Sequence, residues 1–398
     1  MAINLQRSMI CHYFRRNLLP LLSLLLISAV ASAQPDIKFK YKKSQLYSGI
    51  EVGSKGVKMS LVEVSRDNDN ADFNILKDTS SNTDFISFDT ETFTATVKAF
   101  AGLYLTAKNV YKIPSNRIFT VVSSGVKIQA VKFDKNDWID RMIDSFRLAV
   151  NEPTREVDVV NVAEEARLSH LGIVPASKRY NTFLIDIGSG NTKGGYFPKN
   201  NTIDFKLFQL SWGTKSTANA AEKRIDGNFT LSAFHKQLYR VLEGSANDEI
   251  VYAINVSGAY NMSDNVAFSG GIAWSVATLI SPDLIENPVV PVTYKEVEKF
   301  YDRIYKNYSS LSGEEIAKGL TDPTVNKEEV VKKVKVVNKV FDQKALLAGT
   351  GLLLKVMRQF EGIYERKQFY LVKNGQVGWV SAYVDRAISE ENSNAKSK

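Results

Sequence analysis

Two acids in this 398-residue chain close apolar runs, and each is followed by small residues and a second apolar run. Glu51 stands in SGIEVGSKGVKMSLVEV (48–64), and Asp186 stands in FLIDIGSGNTKGGYF (183–197). Glycines at 53, 188 and 190 let backbone N–H groups approach phosphate oxygens that a side chain would hold off. Ser54, Ser189 and Thr192 add short hydroxyl donors at the same turns. A carboxylate at such a strand end can hold magnesium, directly or through water, and so neutralise phosphate charge. Either turn alone also fits an ordinary β-hairpin.

A second constellation is Glu164-Glu165 in AEEARLSHLG (163–172). Hydrolysis of a phosphoanhydride needs a group that aligns the attacking water opposite the leaving oxygen. Neighbouring helical residues point about 100° apart, so only one of the two acids can face a cleft. A solvated acidic pair at a helix start is the plainer reading. Cys11 is the single cysteine, and His170 and His235 are the only histidines beyond residue 33. Thiolate, disulfide and histidine-rich chemistry is thereby excluded from the chain beyond residue 33. Any metal must be a hard cation held by oxygens, magnesium foremost.

Residues 1–33 carry Arg7, Arg15 and Arg16, then LLPLLSLLLISAV, then Ala31-Ser32-Ala33. That order predicts a signal peptide cleaved after Ala33 and a periplasmic or secreted protein, with a retained membrane anchor as the alternative. Removing it lowers the formal net charge from +8 to +5. Such a balance suits an anionic ligand, and neither a nucleic-acid partner nor stable membrane insertion is expected; a homodimer stays open.

The elements that must position these residues alternate between strand and helix. Helical spacing runs through 91–110, 135–150, 163–172 (closed by Gly172) and 345–360. Strands are expected at 116–125, 156–161, 202–210 and 249–258, and at 265–269 before a Gly270-Gly271 turn into a helix. Residues 369–384 read as a hairpin turning at Asn374-Gly375, and 386–398 as a disordered tail. The lysine-rich run 327–340 reads as a solvated helix face or as an anion-guiding rim. Alternation of this kind predicts an α/β fold with largely parallel sheets. The two acid-and-glycine turns suggest a weak duplication, with similar units at 34–173 and 174–385.

In order along the chain, Glu51-x-Gly-Ser, VVSSGVK (121–127), VAEEARLSHLG (162–172), DIGSGNT (186–192), SGGIAWSVATL (269–279) and FDQKALLAGTGLLLKVM (341–357) form a set. This set resembles the exopolyphosphatase / guanosine pentaphosphate phosphohydrolase family of the actin-like ATPase superfamily. The resemblance implies two actin-like (ribonuclease H-like) domains facing a central cleft. It implies that Glu165 positions the water, that Asp186 and Glu51 hold Mg2+, and that polyphosphate or another phosphorylated small molecule is the ligand. The implied phosphate contacts are Gly53, Ser54, Lys127, Gly188, Ser189, Gly190, Asn191, Thr192, Lys193, Gly270 and Gly271.

Three departures from the family pattern matter most. Glu51 replaces the usual aspartate, Lys193 stands where glutamate is typical, and Ser216 stands about where arginine is expected, beside Lys215. Lys127 also replaces an arginine, keeping the charge but losing the bidentate fork. The leading expectation is an exported phosphoanhydride hydrolase that trims polyphosphate. The alternatives are a non-catalytic relative that binds polyphosphate, a nucleotide or a partner protein, and, more remotely, a sugar kinase or chaperone-type ATPase.

Overall fold

The computed structural model describes residues 37–67, 70–198, 200–258, 264–361, 367–373 and 375–396. The expected signal peptide, its cleavage site and Cys11 lie outside the described residues, as does Asn374.

The chain builds two mixed sheets flanked by helices. The first has the order β3-β2-β1-β4-β5, from β1 (Ser44–Val52), β2 (Gly56–Asp67), β3 (Asn70–Asn82), β4 (Ile118–Val122) and β5 (Asp158–Val159). The second has the order β10-β11-β9-β6-β7-β8. It comprises β6 (Thr182–Ile187), β7 (Thr192–Tyr196), β8 (Lys206–Leu210), β9 (Asn265–Ser269), β10 (Val289–Val292) and β11 (Gln368–Val372). Each opens with the expected hairpin, β1/β2 and β6/β7, and sets its next central strand parallel to the first.

The sheets are less parallel than the alternation predicts. Only β1–β4–β5 and β6–β9–β11 run parallel; β2, β3, β7, β8 and β10 pair antiparallel. Short connections between β1, β2 and β3 and between β6, β7 and β8 leave no room for a crossover, so those pairs must reverse, whereas β10 and β11 are joined through intervening helices. Strand β3 was not foreseen, because NADFNILKDTSSN lacks sustained apolar alternation.

Each sheet has its own core. Phe100 and Phe146 stack at 3.8 Å in the first, where Ile139, Met142, Ile143, Phe146 and Val150 form the buried stripe of the helix Asn136–Val150. Phe183, Phe208, Phe268 and Phe360 lie in the second core.

Two elements correct the sequence reading. Residues 249–258 are not a buried strand but most of a helix, Asn247–Ser257. Ile250 and Ile254 are buried while Tyr252 and Val256 are 70% and 69% exposed, a helical period that a short apolar run conceals. Asp248 and Glu249 occupy its first turn, and Gly258 ends it at φ +70°.

The hairpin expected at 369–384 is strand β11 followed by the helix Gly375–Lys396. Trp379, Val380, Tyr383, Val384 and Ile388 are buried at helical spacing. Val384 and Ile388 pack with Tyr47, Val62 and Val64 of the first sheet. The last helix therefore returns to the first unit, and the expected boundaries at 174–385 and the free tail at 386–398 do not hold for it. Gly172 is likewise not a cap. It lies within the helix Val162–Ile173, where a Cβ would stand 1.9 Å from the Gly378 carbonyl oxygen. The run 327–340 is a helix whose lysines pair with nearby acids, Lys333 with Glu286 at 2.9 Å and Lys335 with Glu314 at 2.7 Å. Those pairs favour the solvated-face reading. Among the described residues no helix is long and apolar enough to cross a membrane.

Candidate functional site

Asp186 is the penultimate residue of a strand whose residues are all buried, so its carboxylate is delivered to the strand tip by apolar neighbours that cannot slip register. Its Oδ1 accepts from Ser269 Oγ at 3.2 Å. Gly270, at φ +93°, passes so close that a Cβ would stand 2.7 Å from that same oxygen. The Gly270-Gly271 turn thus shapes the Asp186 end of the site, whereas Gly271 backs onto the Phe341 ring.

The loop after β6 is clamped. The Gly188 N–H donates to the Asn191 carbonyl at 3.0 Å, while the N–H groups of Thr214 and Lys215 donate to the carbonyls of Gly188 and Ser189 at 2.9 and 2.8 Å. Thr192, expected to offer its hydroxyl to phosphate, donates it to the Trp212 carbonyl at 2.7 Å. Ser216 accepts from the Gly213 N–H at 2.7 Å and caps that helix start.

The two loops meet. A Cβ on Gly190 would touch Ser54 Oγ and Gln129 Nε2 at 3.4 Å, and one on Gly125 would touch Ser54 Oγ and Asn191 Oδ1 at 3.0 Å. Glycine at these positions lets the loops of the two units approach each other. Four buried polar atoms lie unpartnered in and beside the loops: Glu51 Oε2, Ser124 Oγ, Ser189 Oγ and Asn191 Nδ2. Buried polar groups are normally satisfied, so such a cluster points to a polar ligand.

Glu165 sits in the first turn of the helix Val162–Ile173, whose N-cap Asn161 accepts from the Glu164 N–H at 2.9 Å. Only 1% of its surface is exposed. Its Oε2 accepts from the Ser124 N–H at 2.7 Å, at the start of the helix Ser124–Lys132, where the helix dipole favours an anion. Its Oε1 lies 2.8 Å from Lys193 Nζ. Glu164 turns away and pairs with Arg386, as the 100° offset requires.

Lys193 is the centre of the arrangement. It faces Asp186 directly across the β6/β7 hairpin, and its Nζ lies 3.2 Å from Asp186 Oδ2. Burial works against its charge, but Glu165 and Asp186 outweigh it and hold the ammonium above the ordinary lysine range. Glu51, also buried, is opposite Lys58 in the β1/β2 hairpin. Burial above all, with Glu165 and Asp186 beside it, pushes its carboxyl up to about 7 against the opposing pull of Lys58 and Lys193.

These contacts decide how a magnesium ion fits. Magnesium demands oxygens at about 2.0–2.1 Å and keeps several waters. An ammonium already lies between Glu165 and Asp186, and a divalent ion there would meet its positive charge. The acids as they stand do not fit a directly bound magnesium. Among the described residues, no group of three or more His, Cys, Asp or Glu side chains is arranged to hold a metal ion.

Beside the loops opens a cleft of about 300 Å³ between the units, bordered by Gln129 and Lys132 from one and by Gly190, Trp212, Lys215 and Lys223 from the other. Lys215 crosses it to pair with Asp84, and Lys55 crosses nearby to donate to the Val340 carbonyl at 3.1 Å. Of the expected residues, Glu51, Gly53, Ser54, Glu165, Asp186, Gly188, Ser189, Gly190, Asn191, Lys193 and Gly270 gather on or beside the two loops. Lys127 is exposed on the helix Ser124–Lys132 instead, where the bordering lysine is Lys132.

Lys58, Lys132 and Lys223 were missed. Lys58 had a signal: EVGSKGVK and DIGSGNTK share an acid, Gly-Ser two residues on, and lysine seven residues on.

No protein-family profile matches the sequence, and no curated protein matches it either. Solved structures do match. The Aquifex aeolicus member of the Ppx/GppA protein family aligns at 14% identity over 87% of this chain and 99% of its own, with TM-score 0.57. An exopolyphosphatase from Cytophaga hutchinsonii aligns at 12% identity over 86% and 98%, with TM-score 0.55. An exopolyphosphatase-like protein aligns at 14% identity over 87% and 100%, with TM-score 0.58. The chain has the Ppx/GppA fold. The expected pair of actin-like domains is thereby borne out, and the acid-and-glycine hairpins occupy corresponding places in its two halves.

Proposed function

We propose that this chain is an exported phosphohydrolase that releases terminal phosphate from inorganic polyphosphate, in a cleft where lysines offset the substrate's charge. The observation that carries the reading is Glu165: buried, and fixed by the Ser124 N–H at 2.7 Å and Lys193 Nζ at 2.8 Å, where the loops of both units meet. A carboxylate oxygen accepts more than one hydrogen bond, so an anchored Glu165 retains capacity to orient a water. That water's oxygen would bond to the terminal phosphorus as the bridging P–O bond breaks, its proton passing to Glu165 or to a phosphate oxygen. Phosphoryl transfer asks mainly for positioning and charge stabilisation, which Lys193, the unpartnered Ser189 and Asn191 and the loop backbone are suited to supply. Export rests on the composition of residues 1–33.

A second reading is favoured by one observation. Lys193 engages both Glu165 and Asp186, which suits a protein that binds a polyanion without turnover. Phosphate release from medium-length polyphosphate by residues 34–398, with magnesium or with chelator, separates the two. Turnover lost in a folded Glu165→Gln variant supports the hydrolase. Tight binding of an intact chain supports the binder.

A further inference from the structure

We propose that the Lys193 ammonium is the resident cation of this site: it takes the place between Glu165 and Asp186 that a divalent ion would need, so that removing this one side chain turns the acids into a divalent-cation site. The inference concerns metal binding and holds whether or not the chain turns over substrate.

Glu51, Glu165 and Asp186 are all buried at the meeting of the two loops. Buried carboxylates need a counter-charge, since an uncompensated one is strongly destabilising. Lys193 supplies it from within the chain, 2.8 Å from one carboxylate and 3.2 Å from the other. Its position is set by backbone register, because Lys193 is the residue opposite Asp186 in the hairpin. The backbone also closes around it: a Cβ on Gly188 would lie 3.8 Å from Nζ, and one on Gly270 2.7 Å from Asp186 Oδ1. In the first hairpin Lys58 holds the corresponding register position opposite Glu51, but Glu51 Oε2 has no hydrogen-bond partner. The counter-charge between Glu165 and Asp186 is thus covalently part of the chain.

The test is Mn2+ binding to the whole mature chain followed by electron paramagnetic resonance, with thermal melts in magnesium and in chelator. Wild type is expected to bind no Mn2+ that Asp186→Asn removes, and to melt at the same temperature in both conditions. Lys193→Ala is expected to bind one Mn2+ about tenfold or more tighter than wild type, once the repelling charge is gone. Its melting temperature should rise with magnesium, and Asp186→Asn added to it should abolish both gains. A stoichiometric wild-type Mn2+ site lost in Asp186→Asn overturns the proposal. So does a folded Lys193→Ala that binds no better than wild type. If Lys193→Ala does not fold, the wild-type arm decides alone. Phosphate release is not read here, so failure of the hydrolase reading and failure of this inference remain distinct results.

Discussion

Lys193 Nζ and Glu165 Oε1 meet at 2.8 Å, the lysine on β7 of the second sheet and the glutamate on the helix Val162–Ile173 that packs against that strand. The pair is buried, and because Glu165 also accepts from the Ser124 N–H it ties the helix Ser124–Lys132 to the second sheet's hairpin as well as occupying the site. Breaking a buried pair strands the remaining charge, whereas removing both members costs much less. Lys193→Met is expected to lower unfolding stability by about 3–5 kcal/mol in denaturant melts without metal. Adding Glu165→Gln or Asp186→Asn should return part of that loss, because fewer carboxylates then lack a cation. The folded fraction of Glu165→Gln must be checked before its activity is read.

Lys215 pairs with Asp84 across the cleft mouth, and the pair is partly solvated. Its effect on stability should stay within about 1 kcal/mol. Its effect on ligand binding should be plainer, because Lys215 borders the cleft. Lys215→Ala is expected to weaken polyphosphate binding several-fold, and Asp84→Asn to strengthen it by releasing the lysine. Trp212 on the same cleft offers a fluorescence readout for both titrations. Opposite signs for the two substitutions are the result to look for.

How far the site was legible follows from its kind of contact. Glu51, Asp186 and the glycines after them could be read because turn chemistry is local: strand, acid, glycine and strand adjoin in the sequence. The pairing of Lys193 with Glu165 was not legible, since it depends on how a helix packs on a strand across 27 intervening positions of the chain. Reading Lys193 as a departure from a family pattern found the right residue but not its partner. The short apolar run at 249–258 satisfies both the strand and the helix period, and only burial, which separates Ile254 from Val256, identifies the helix Asn247–Ser257. The last helix was hidden by Asn374-Gly375, a turn signal strong enough to suggest a hairpin. What makes 375–396 helical is packing of Trp379, Val380 and Tyr383 against a distant part of the chain.

That packing can be tested at Gly172. A Cβ there would stand 1.9 Å from the Gly378 carbonyl oxygen, a backbone atom that cannot rotate aside. Helix propensity alone would make Gly172→Ala stabilising by about 1 kcal/mol. The clash should reverse the sign, with a loss of about 1–3 kcal/mol in urea melts. A neutral or stabilising result would mean that the two helices do not approach as described.

His170 gives the pH dependence of the fold. It is fully buried, its Nε2 lies 3.0 Å from the Thr182 carbonyl, and its Nδ1 has no partner. The Phe197 ring stands edge-on at 5.0 Å. A proton added at Nδ1 would have nowhere to bond, and burial pushes the imidazole down to about 4; the Thr182 carbonyl works the other way and Arg179 adds to the lowering. The unfolded chain takes up that proton near the ordinary value of about 6.5. Between 6.5 and 4 the unfolded state therefore binds more protons, and stability falls as pH falls through that window. The contribution is fully present above 6.5 and lost below 4, with a loss of about 2 kcal/mol already at pH 5. His170→Gln retains a donor for Thr182 but does not titrate. In urea melts at pH 8 and pH 5, its stability should fall less than that of wild type by about that amount; equal losses would remove His170 as the source.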